Sequence, residues 1–465
     1  MRPVVAGTVC ALAVIVGGCS GAEAETNQLV EAPEGLATAP ALSGKFLHLS
    51  DIHFNVFADG MITHVAGLPP DQWKAQFEKY AKSSAPSTGH RDTNYSLLIS
   101  ALDAAVAAQG PNGKYDYILY TGDYLPHGFG YGSTQDQQSE FASNVVEFVN
   151  LMIADRFPGV PIVAALGNND GGCGDYNLHP KEDFLADLGP DMPGLSSTAE
   201  TDFVASGNYA IPHPTVPGTD FVVLSSYWSR KYAEDQHPCT DITDDYAPGT
   251  AQANWLGTTL GSGASPGPAS RPAILLMHIP PGRDGYDGNW QWHQRFQTAF
   301  EDKLGTATRP LLGAFAGHSH MDEFRVVSDQ GQPVLAVRIA PSVTTWNGNA
   351  PSFTVGDYDT NNGQMTDYEV HSCRTPGTGG QCGWSWEYRF SSSYNSKFTP
   401  TDLLALATSI QDPADPKDMR KEYRTYYSAK DRLSAESNWQ KVVCAISLVD
   451  EVAYNKCRKR LGDYS

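Results

Sequence analysis

Short apolar runs recur along the chain, and five of them are directly followed by small or polar residues. Runs of this length that end in turn-forming residues are typical of buried strands. Longer stretches with apolar residues at helical spacing separate them, which predicts alternating strands and helices from residue 45 to about residue 345. The five runs are residues 46–49, 117–120, 162–166, 274–277 and 311–316.

Apolar positions three and four residues apart predict the helices. One starts at an Asp92-Thr93 cap, and others span residues 140–153, 251–260 and 292–304. Between residues 171 and 250 the spacing loosens into stretches rich in Gly, Pro and Asp, which predicts long loops beside a functional site.

The last third of the chain changes pattern twice. Residues 323–327, 334–339, 352–358 and 365–371 alternate apolar and polar positions, which predicts antiparallel strands that complete the second half of a sandwich. From residue 399 the pattern becomes helical, so we expect a small helical lobe over residues 399–465.

The N-terminus is predicted to direct export. The apolar stretch at residues 4–16 is too short to span a bilayer. Val16-Gly17-Gly18-Cys19 is similar to a bacterial lipoprotein cleavage site, which makes residues 1–19 a signal peptide with an acylated Cys19. Ordinary secretion, with cleavage near Ala24, is the alternative. Residues 20–43 would then be a flexible tether, and the protein would be anchored in the periplasm or at the cell surface, or secreted.

Six cysteines remain once the predicted signal peptide is removed, and an even number in an exported chain argues for disulfides. Thiolate-bound zinc is disfavoured because no two of the six form a Cys-x-x-Cys pair. Proximity along the chain predicts the pairs Cys373–Cys382 and Cys444–Cys457, which leaves Cys173 for Cys239.

The composition excludes some functions. The chain has 32 basic and 52 acidic side chains, a formal charge of −20 and a pI near 4.9. It therefore lacks the clustered Lys and Arg that bind a nucleic-acid backbone, and nucleic-acid binding is not expected. A hydrophobic content of 41% and a charged content of 18% describe a soluble globular protein. Membrane contact is expected only through the N-terminal lipid anchor.

Five segments that follow the apolar runs carry side chains able to bind metals. Because the ends of neighbouring strands meet at one edge of a sheet, we expect these side chains to converge there. Seven Asp, Asn and His side chains would hold two divalent cations that share a carboxylate, which indicates a metallohydrolase. The segments are Asp51-Ile52-His53, Gly122-Asp123, Gly167-Asn168-Asn169-Asp170, His278 and Gly317-His318-Ser319-His320.

Three segments carry a resemblance to a known family. They are His278-Ile279-Pro280-Pro281-Gly282, Gly317-His318-Ser319-His320-Met321-Asp322-Glu323-Phe324 and Ala340-Pro341-Ser342-Val343-Thr344-Thr345. With the metal-binding segments, they resemble the acid sphingomyelinase-like branch of the calcineurin-type metallophosphoesterases over roughly residues 45–460. The resemblance implies an α/β fold: a four-layer αββα sandwich of two mixed β-sheets at residues 44–398, followed by the helical lobe at 399–465.

The resemblance also implies a dinuclear centre, commonly zinc in this branch, with Mn²⁺ or Fe also suited to the carboxylate, amide and imidazole donors. Two ions about 4 Å apart would lower the pKa of a shared water, and the bridging hydroxide would attack phosphorus in line. One metal would be held by Asp51, His53, Asp123 and His320, and the second by Asp123, Asn168, His278 and His318.

One position departs from the family pattern. The family usually has a histidine after Gly-Asn that protonates the leaving group, whereas this chain has Asn169, and an amide has no proton of useful pKa. His127, four residues after Asp123, matches a histidine near the site in the family and is the candidate replacement. A half-exposed loop histidine is the alternative. Arg283 is a candidate contact for the substrate phosphate.

The substrate stays open between two classes. We expect first a phosphodiesterase acting on a headgroup-bearing lipid or a nucleotide. Gly-Asn-Asn-Asp is also similar to endopolyphosphatase relatives, which makes hydrolysis of polyphosphate or nucleotide pyrophosphate the alternative, although the acidic composition disfavours a long polyanion. A non-catalytic, phosphate-binding surface lipoprotein is a third reading, and seven intact ligands argue against it.

Overall fold

A computed structural model of the protein describes residues 43–110, 113–232, 246–261, 271–376, 382–414, 418–429, 434–447 and 450–463. The predicted signal peptide, Cys19, nearly all of the tether, Cys239 and the stretch at 262–270 lie outside these ranges. The strands are β1 (Ser43–Leu49), β2 (Tyr117–Tyr120), β3 (Ile162–Ala164), β4 (Tyr209–Pro212), β5 (Asp220–Leu224), β6 (Ala273–Met277), β7 (Leu311–Ala316), β8 (Glu323–Asp329), β9 (Gln332–Ile339), β10 (Ser352–Asp359), β11 (Met365–Pro376) and β12 (Cys382–Arg389). The helices are α1 (Ile62–Val65), α2 (Trp73–Tyr80), α3 (Tyr95–Ala108), α4 (Gln135–Arg156), α5 (Asp183–Leu188), α6 (Ser197–Ser206), α7 (Ala247–Leu260), α8 (Gln294–Gly305), α9 (Phe390–Tyr394), α10 (Pro400–Gln411), α11 (Met419–Tyr426), α12 (Ser434–Ala445) and α13 (Glu451–Arg460).

The strands form two mixed sheets of six strands each, so the predicted α/β fold with two mixed sheets is confirmed. The first sheet has the order β12-β11-β10-β1-β2-β3, with β1, β2 and β3 parallel. The second has the order β4-β5-β6-β7-β9-β8, with β5, β6, β7 and β9 parallel. All five apolar runs form parallel strands of these sheets.

Alternate side chains of β6 explain how the layers are held together. Ile274 and Leu276 pack into the hydrophobic cluster that contains β1 and β2, whereas Leu275 and Met277 pack into a second cluster with α7 and α8. Successive strand residues point to opposite faces, so a strand that is apolar at every position must be covered on both. The second sheet therefore has the first sheet on one face and helices on the other.

The prediction for the later strands was wrong in one respect. Strands β8 and β9 join the second sheet, whereas β10, β11 and β12 extend the first sheet from the antiparallel pairing of β10 with β1. Alternating polarity identifies a strand with one covered face, but it does not specify which sheet the strand joins.

Residues 171–250 are also more regular than predicted. The described part of this stretch contains α5, α6, β4 and β5, and α7 begins at Ala247. Strand β5 is an apolar run that pairs in parallel with β6. The surrounding Gly and Pro residues obscured these short elements. Strands β4 and β5 are stabilised by sheet pairing, and α5 and α6 by packing into the hydrophobic core.

The N-terminus of α3 lies two residues later than predicted. Asn94 is the N-cap, and its side chain accepts a hydrogen bond from the backbone amide of Leu97 at 3.1 Å. Asp92 does not cap the helix. Its carboxylate instead accepts hydrogen bonds from His127, which places Asp92 beside the candidate site.

The C-terminal helices share the core of the sandwich. Leu403 and Ile410 of α10 and Val443 of α12 belong to the same buried cluster as Phe324 and Tyr368 of the sheets. Two predicted disulfides are confirmed, Cys373–Cys382 between β11 and β12 and Cys444–Cys457 between α12 and α13. A domain boundary at residue 399 stays a prediction. Within the ranges that the structure describes, none of the helices has the length and apolar character needed to cross a membrane.

Candidate metal centre

The seven predicted ligands converge at the ends of parallel strands, but from two sheets rather than one. The loops after β1, β2 and β3 bring Asp51, His53, Asp123 and Asn168 from the first sheet, and the segments after β6 and β7 bring His278, His318 and His320 from the second. The prediction of a single sheet edge was therefore wrong. The two sheets pack face to face, and the ends of their parallel strands lie next to each other. Donors far apart in the sequence therefore lie together.

One group of donors consists of Asp51, His53, Asp123 and His320. The Nε2 atoms of His53 and His320 lie 3.1 Å apart, and Nε2 of His53 lies 3.2 Å from Oδ2 of Asp123. Oδ1 of Asp51 lies 3.4 Å from Nε2 of His320. All four side chains are buried, so their donor atoms face one another rather than solvent.

The second group shares Asp123 with the first and adds His278 and His318. Nε2 of His278 lies 3.2 Å from Oδ2 of Asp123 and 3.3 Å from Nδ1 of His318. Oδ1 of Asn168 lies 3.0 Å from the same Nε2 atom. A single carboxylate oxygen of Asp123 therefore lies between two histidines that belong to different donor groups.

The histidine tautomers test whether this cluster fits cations. Nδ1 of His53 lies 2.8 Å from the carbonyl oxygen of Leu125, and Nδ1 of His278 lies 2.7 Å from that of Thr121. A carbonyl only accepts, so both Nδ1 atoms carry protons and the neutral rings direct Nε2 lone pairs at Asp123. Lone pairs and a carboxylate repel one another unless a cation or a proton lies between them. The donor set therefore fits divalent cations.

The electrostatics of the cluster give the same conclusion. Burial by itself would lower the pKa of His53 and of His278, but the Asp123 and Asp51 carboxylates outweigh it and raise both to about 9. Burial opposes ionisation of Asp123, yet these two histidines hold its pKa well below the usual range. In the metal-free protein, protons on His53 and His278 thus supply the positive charge that cations would otherwise supply.

The backbone is strained where it delivers the ligands. Asp51, His53, Asp123, His318 and His320 have φ values of 48°, 46°, 60°, 74° and 64°, in the left-handed region that non-glycine residues seldom adopt. Such conformations persist only where surrounding contacts impose them, and they cluster at functional sites.

Asp170 supplies one of those contacts. It is fully buried and accepts hydrogen bonds from the backbone amides of Asp123, Tyr124, Leu125 and Gly167 at 2.7–3.0 Å. A Cβ atom on Gly167 would lie 2.0 Å from Oδ1 of Asp123, so only glycine allows the two loops to approach this closely.

The two candidate catalytic residues occupy different places. The side-chain amide of Asn169 donates to Oδ2 of Asp123 at 3.0 Å, and its backbone amide donates to Oδ1 at 2.9 Å. His127 stacks on His53 with ring centroids 4.0 Å apart and on Trp346 at 4.3 Å. Its side chain is 23% exposed and borders the cavity above the donor cluster.

The cavity has a volume of about 440 Å³. Most of its wall is polar or aromatic, and Met321 is the one aliphatic side chain among the described lining residues. Two sequence signals point to some of the wall residues that were not predicted individually: Trp346 directly follows the Ala340–Thr345 segment, and Asp175, Tyr176 and Lys231 lie in the stretch 171–250 that was expected beside the site. The missed wall residues are His90, Asp175, Tyr176, Lys231, Asp284, Tyr286, Gln291, Trp346, Asn347 and Tyr427.

Arg283 does not belong to this wall. Its guanidinium donates to the carbonyl oxygen of Gly288 at 3.0 Å and packs between the rings of Trp290 and Tyr454. The residue is buried, so the prediction that it contacts a substrate phosphate was wrong. The Arg283 side chain therefore packs against α13.

Comparison with known proteins places the chain in a family context. The family model described as calcineurin-like phosphoesterase matches residues 44–322. Mouse acid sphingomyelinase-like phosphodiesterase 3b is 26% identical over 93% of this chain and 93% of its own length. Mouse cyclic GMP-AMP phosphodiesterase SMPDL3A is 24% identical over 91% of this chain and 93% of its own. Sphingomyelinase phosphodiesterase D of Dictyostelium discoideum is 24% identical, over 76% of this chain and 81% of its own length.

Among solved structures, that of PhoD aligns with a TM-score of 0.43 and 10% sequence identity, over 76% of this chain and 70% of that one.

Proposed function

Because the chain belongs to the calcineurin-like phosphoesterase family, we propose that it is a phosphodiesterase of the acid sphingomyelinase-like type whose two divalent cations share Asp123. The observation that carries the proposal is the overlap of two donor groups on one carboxylate oxygen, 3.2 Å from both His53 and His278. The carboxylate, amide and imidazole donors suit Zn²⁺, Mn²⁺ or Fe, and zinc is the first choice because it is common in the acid sphingomyelinase-like branch that the chain resembles.

Bound cations would supply an activated water and neutralise charge on the phosphoryl oxygens. Asp51, His53 and His320 would hold one cation, and His278, His318 and Asn168 the other. The protein needs no nucleophile of its own, and its remaining task is to orient the phosphodiester and to protonate the leaving group.

His127 is the residue proposed to protonate the leaving group. It lies on the cavity wall, and Asp92 engages Nδ1 of the ring at 2.7 Å, so Nε2 is the nitrogen left to donate. Asn169 acts instead through its bond to Asp123, which positions the shared carboxylate. This division of roles accounts for the absence of a histidine after Gly-Asn.

The cavity favours a phosphodiester with a compact polar substituent. Its wall offers aromatic faces and hydrogen-bonding groups, and it offers little aliphatic surface to a lipid chain. A headgroup-bearing lipid would therefore insert only its headgroup, whereas a nucleotide could enter completely. The two relatives named for sphingomyelinase-like and for cyclic GMP-AMP phosphodiesterase activity represent these two alternatives.

Hydrolysis of polyphosphate or nucleotide pyrophosphate is the second candidate, and Asn169 favours it because a phosphoanhydride leaving group needs no general acid. The charge of the wall argues against it. Lys231 is the one Lys or Arg side chain among the described lining residues, and Asp175 and Asp284 line the same cavity. Such a wall repels a long polyanion.

The test is a substrate panel with the metal-loaded enzyme. Bis-p-nitrophenyl phosphate, a dinucleoside phosphate, sphingomyelin, ATP and polyphosphate would be compared for wild type, His278→Gln and His64→Gln. His64 lies on the exposed face of α1 and is the matched control. We expect wild type and His64→Gln to hydrolyse the phosphodiesters and His278→Gln to lose activity by at least about 100-fold.

Each of the other outcomes would contradict the proposed phosphodiesterase in a different way. Faster turnover of polyphosphate or ATP than of any phosphodiester supports the second candidate. Two bound metal ions without hydrolysis of any substrate support the non-catalytic phosphate-binding protein. Full activity in His278→Gln contradicts the proposed metal centre.

A further inference from the structure

A chain of buried polar side chains leads from β1 to Asp51. Nε2 of His48 lies 3.0 Å from Oγ1 of Thr121, whose hydroxyl donates to Oγ of Ser50 at 2.7 Å, and Ser50 donates to Oδ2 of Asp51. All four residues are fully buried. None of the first three is among the proposed ligands, and the reaction proposed above does not use them.

The direction of these hydrogen bonds follows from the carboxylate of Asp51, with which the series ends. An ionised carboxylate only accepts, so the Ser50 proton points at Asp51 and Ser50 must accept from Thr121. The Thr121 proton is then also committed, and Thr121 must accept from His48. His48 is therefore the tautomer with its proton on Nε2, and burial, with Arg338 nearby, lowers its pKa well below the ordinary value. Every donor in the chain points towards Asp51.

The His48 ring makes an edge contact with Phe315, with centroids 5.4 Å apart, but this packing does not require an imidazole. The neighbour of His48 on the same face of β1, Phe46, is apolar, as expected between two sheets. Nδ1 of His48 has no hydrogen-bond partner among the described residues, and an unsatisfied buried nitrogen costs free energy. An apolar side chain would fill this place at lower cost, so the gain must come from the bond to Thr121.

The Ser50 hydroxyl bonds to one oxygen of Asp51, whereas the backbone amide of His318 donates to both, at 3.0 Å to Oδ1 and 3.1 Å to Oδ2. Oδ2 is the oxygen that accepts the Ser50 hydroxyl, and Oδ1 faces Nε2 of His320 at 3.4 Å and Nε2 of His278 at 4.0 Å. A Cβ atom on Gly317 would lie 2.0 Å from Oγ of Ser50, so the glycine leaves room for this arrangement. Asp51 is thereby fixed with one oxygen towards the donor cluster.

Thr121 acts on the second donor group only through its backbone. Its carbonyl oxygen lies 2.7 Å from Nδ1 of His278, and a change of side chain leaves that carbonyl in place. Its hydroxyl, in contrast, serves only the Ser50–Asp51 branch among the contacts described. A substitution of the Thr121 side chain should therefore affect the donor group of Asp51 and leave the contact to His278 in place.

We propose that His48, Thr121 and Ser50 form a positioning relay that holds Oδ2 of Asp51, leaves Oδ1 for a cation, and so sets the affinity of the cation position at His53 and His320. This inference rests on the proposed two-cation function. Partners that orient a metal ligand typically contribute about 10- to 100-fold to affinity.

The experiment is a zinc titration of metal-free protein by calorimetry with chelator competition. Thr121→Val removes the hydroxyl at nearly constant volume, Thr121→Ser retains it, and Ser50→Ala breaks the chain one step later. Ser372→Ala is the matched control, because Ser372 is a fully buried serine of β11 outside the relay. We expect Thr121→Val and Ser50→Ala to weaken one of two zinc affinities by about 10- to 100-fold, and Thr121→Ser and Ser372→Ala to retain both.

Equal affinities in wild type, Thr121→Val and Ser50→Ala would overturn the relay, and so would an equal loss at both positions. Where Thr121→Val fails to fold by circular dichroism, Ser50→Ala decides by the same two criteria. The wild-type titration separates the relay from its premise, since a wild type that binds no zinc and no Mn²⁺ contradicts the proposed function itself.

Discussion

Asp92 holds His127 at two atoms: Oδ1 lies 2.7 Å from Nδ1 of the ring, and Oδ2 accepts the backbone amide of His127 at 3.0 Å. The carboxylate is only 6% exposed, and the imidazole is confined between His53 and Trp346. This pairing fixes both the ring orientation and the nitrogen that faces away from Asp92. It is the arrangement that a leaving-group acid requires.

Asp92→Asn is therefore predicted to slow the reaction in proportion to the need for a proton. We expect a loss of about 100-fold with a dinucleoside phosphate, whose leaving alkoxide must be protonated, the lower end of what a general acid contributes. Bis-p-nitrophenyl phosphate has a stable leaving group and should lose less than about tenfold. Steady-state kcat on the two substrates measures the contrast, and equal losses on both would exclude this role for the pair.

Metal loading is predicted to release protons. Beside Asp123, the pKa of both His53 and His278 is raised to about 9, so both rings are protonated at pH 7 in metal-free protein. Cation binding requires their Nε2 lone pairs, and about two protons should leave as the site fills. Calorimetric titrations in two buffers of different ionisation enthalpy count these protons. A count of zero at pH 7 would contradict the histidine assignments.

Glu182 is predicted to make stability depend on pH. Burial raises its pKa to about 8, and its Oε2 atom has no hydrogen-bond partner among the described residues. A carboxyl whose folded pKa lies above its unfolded value of 4.5 favours folding below pH 4.5, and this stability is lost as pH rises towards 8. Glu182→Gln should thus melt at the same temperature as wild type near pH 4.5 and at a higher one near pH 8.5. A difference that is constant with pH would refute the assignment.

The two described disulfides are predicted to differ in their effect on the core. Cys444–Cys457 joins α12 and α13 across a sequence separation of 13, and both cysteines are buried. Replacing the pair by alanines should cost about 3 kcal/mol of unfolding free energy. The equivalent change at Cys373–Cys382 is the comparison and should cost less unfolding free energy, because this bridge joins residues only 9 apart and Cys382 lies half-buried on the edge strand β12. Denaturant unfolding of both variants measures the difference.

The metal-binding side chains could be predicted from the sequence because each follows a strand whose apolar run is visible. Parallel strands end at a common edge, so the chain position of His278 or Asp123 already specifies its place in the fold. The meeting of two separate sheet edges could not be predicted in this way, because an apolar run does not specify which sheet it joins. For the same reason β8 and β10 were assigned to one sheet.

The pairing of Asp92 with His127 was not predictable either. Asp92 precedes an amphipathic helix, and a carboxylate at that position is a typical N-cap, although Asn94 performs that task here. The two residues are 35 positions apart, and long-range contacts such as the bridge between Thr93 and Phe54, in the loop after β1, place Asp92 beside the site. The same holds for Asp284, which borders the cavity, whereas Lys231 lies in the 171–250 stretch that was expected beside the site but was not singled out within it.

The most direct measurement is a crystal structure of the zinc-loaded enzyme with anomalous diffraction at the zinc edge. We expect two anomalous peaks on either side of the Asp123 carboxylate, one bound by His53 and His320 and the other by His278 and His318. In Asp123→Asn, at least one peak should be lost while the fold is retained. A single peak, or two peaks away from Asp123, would contradict the shared-carboxylate centre.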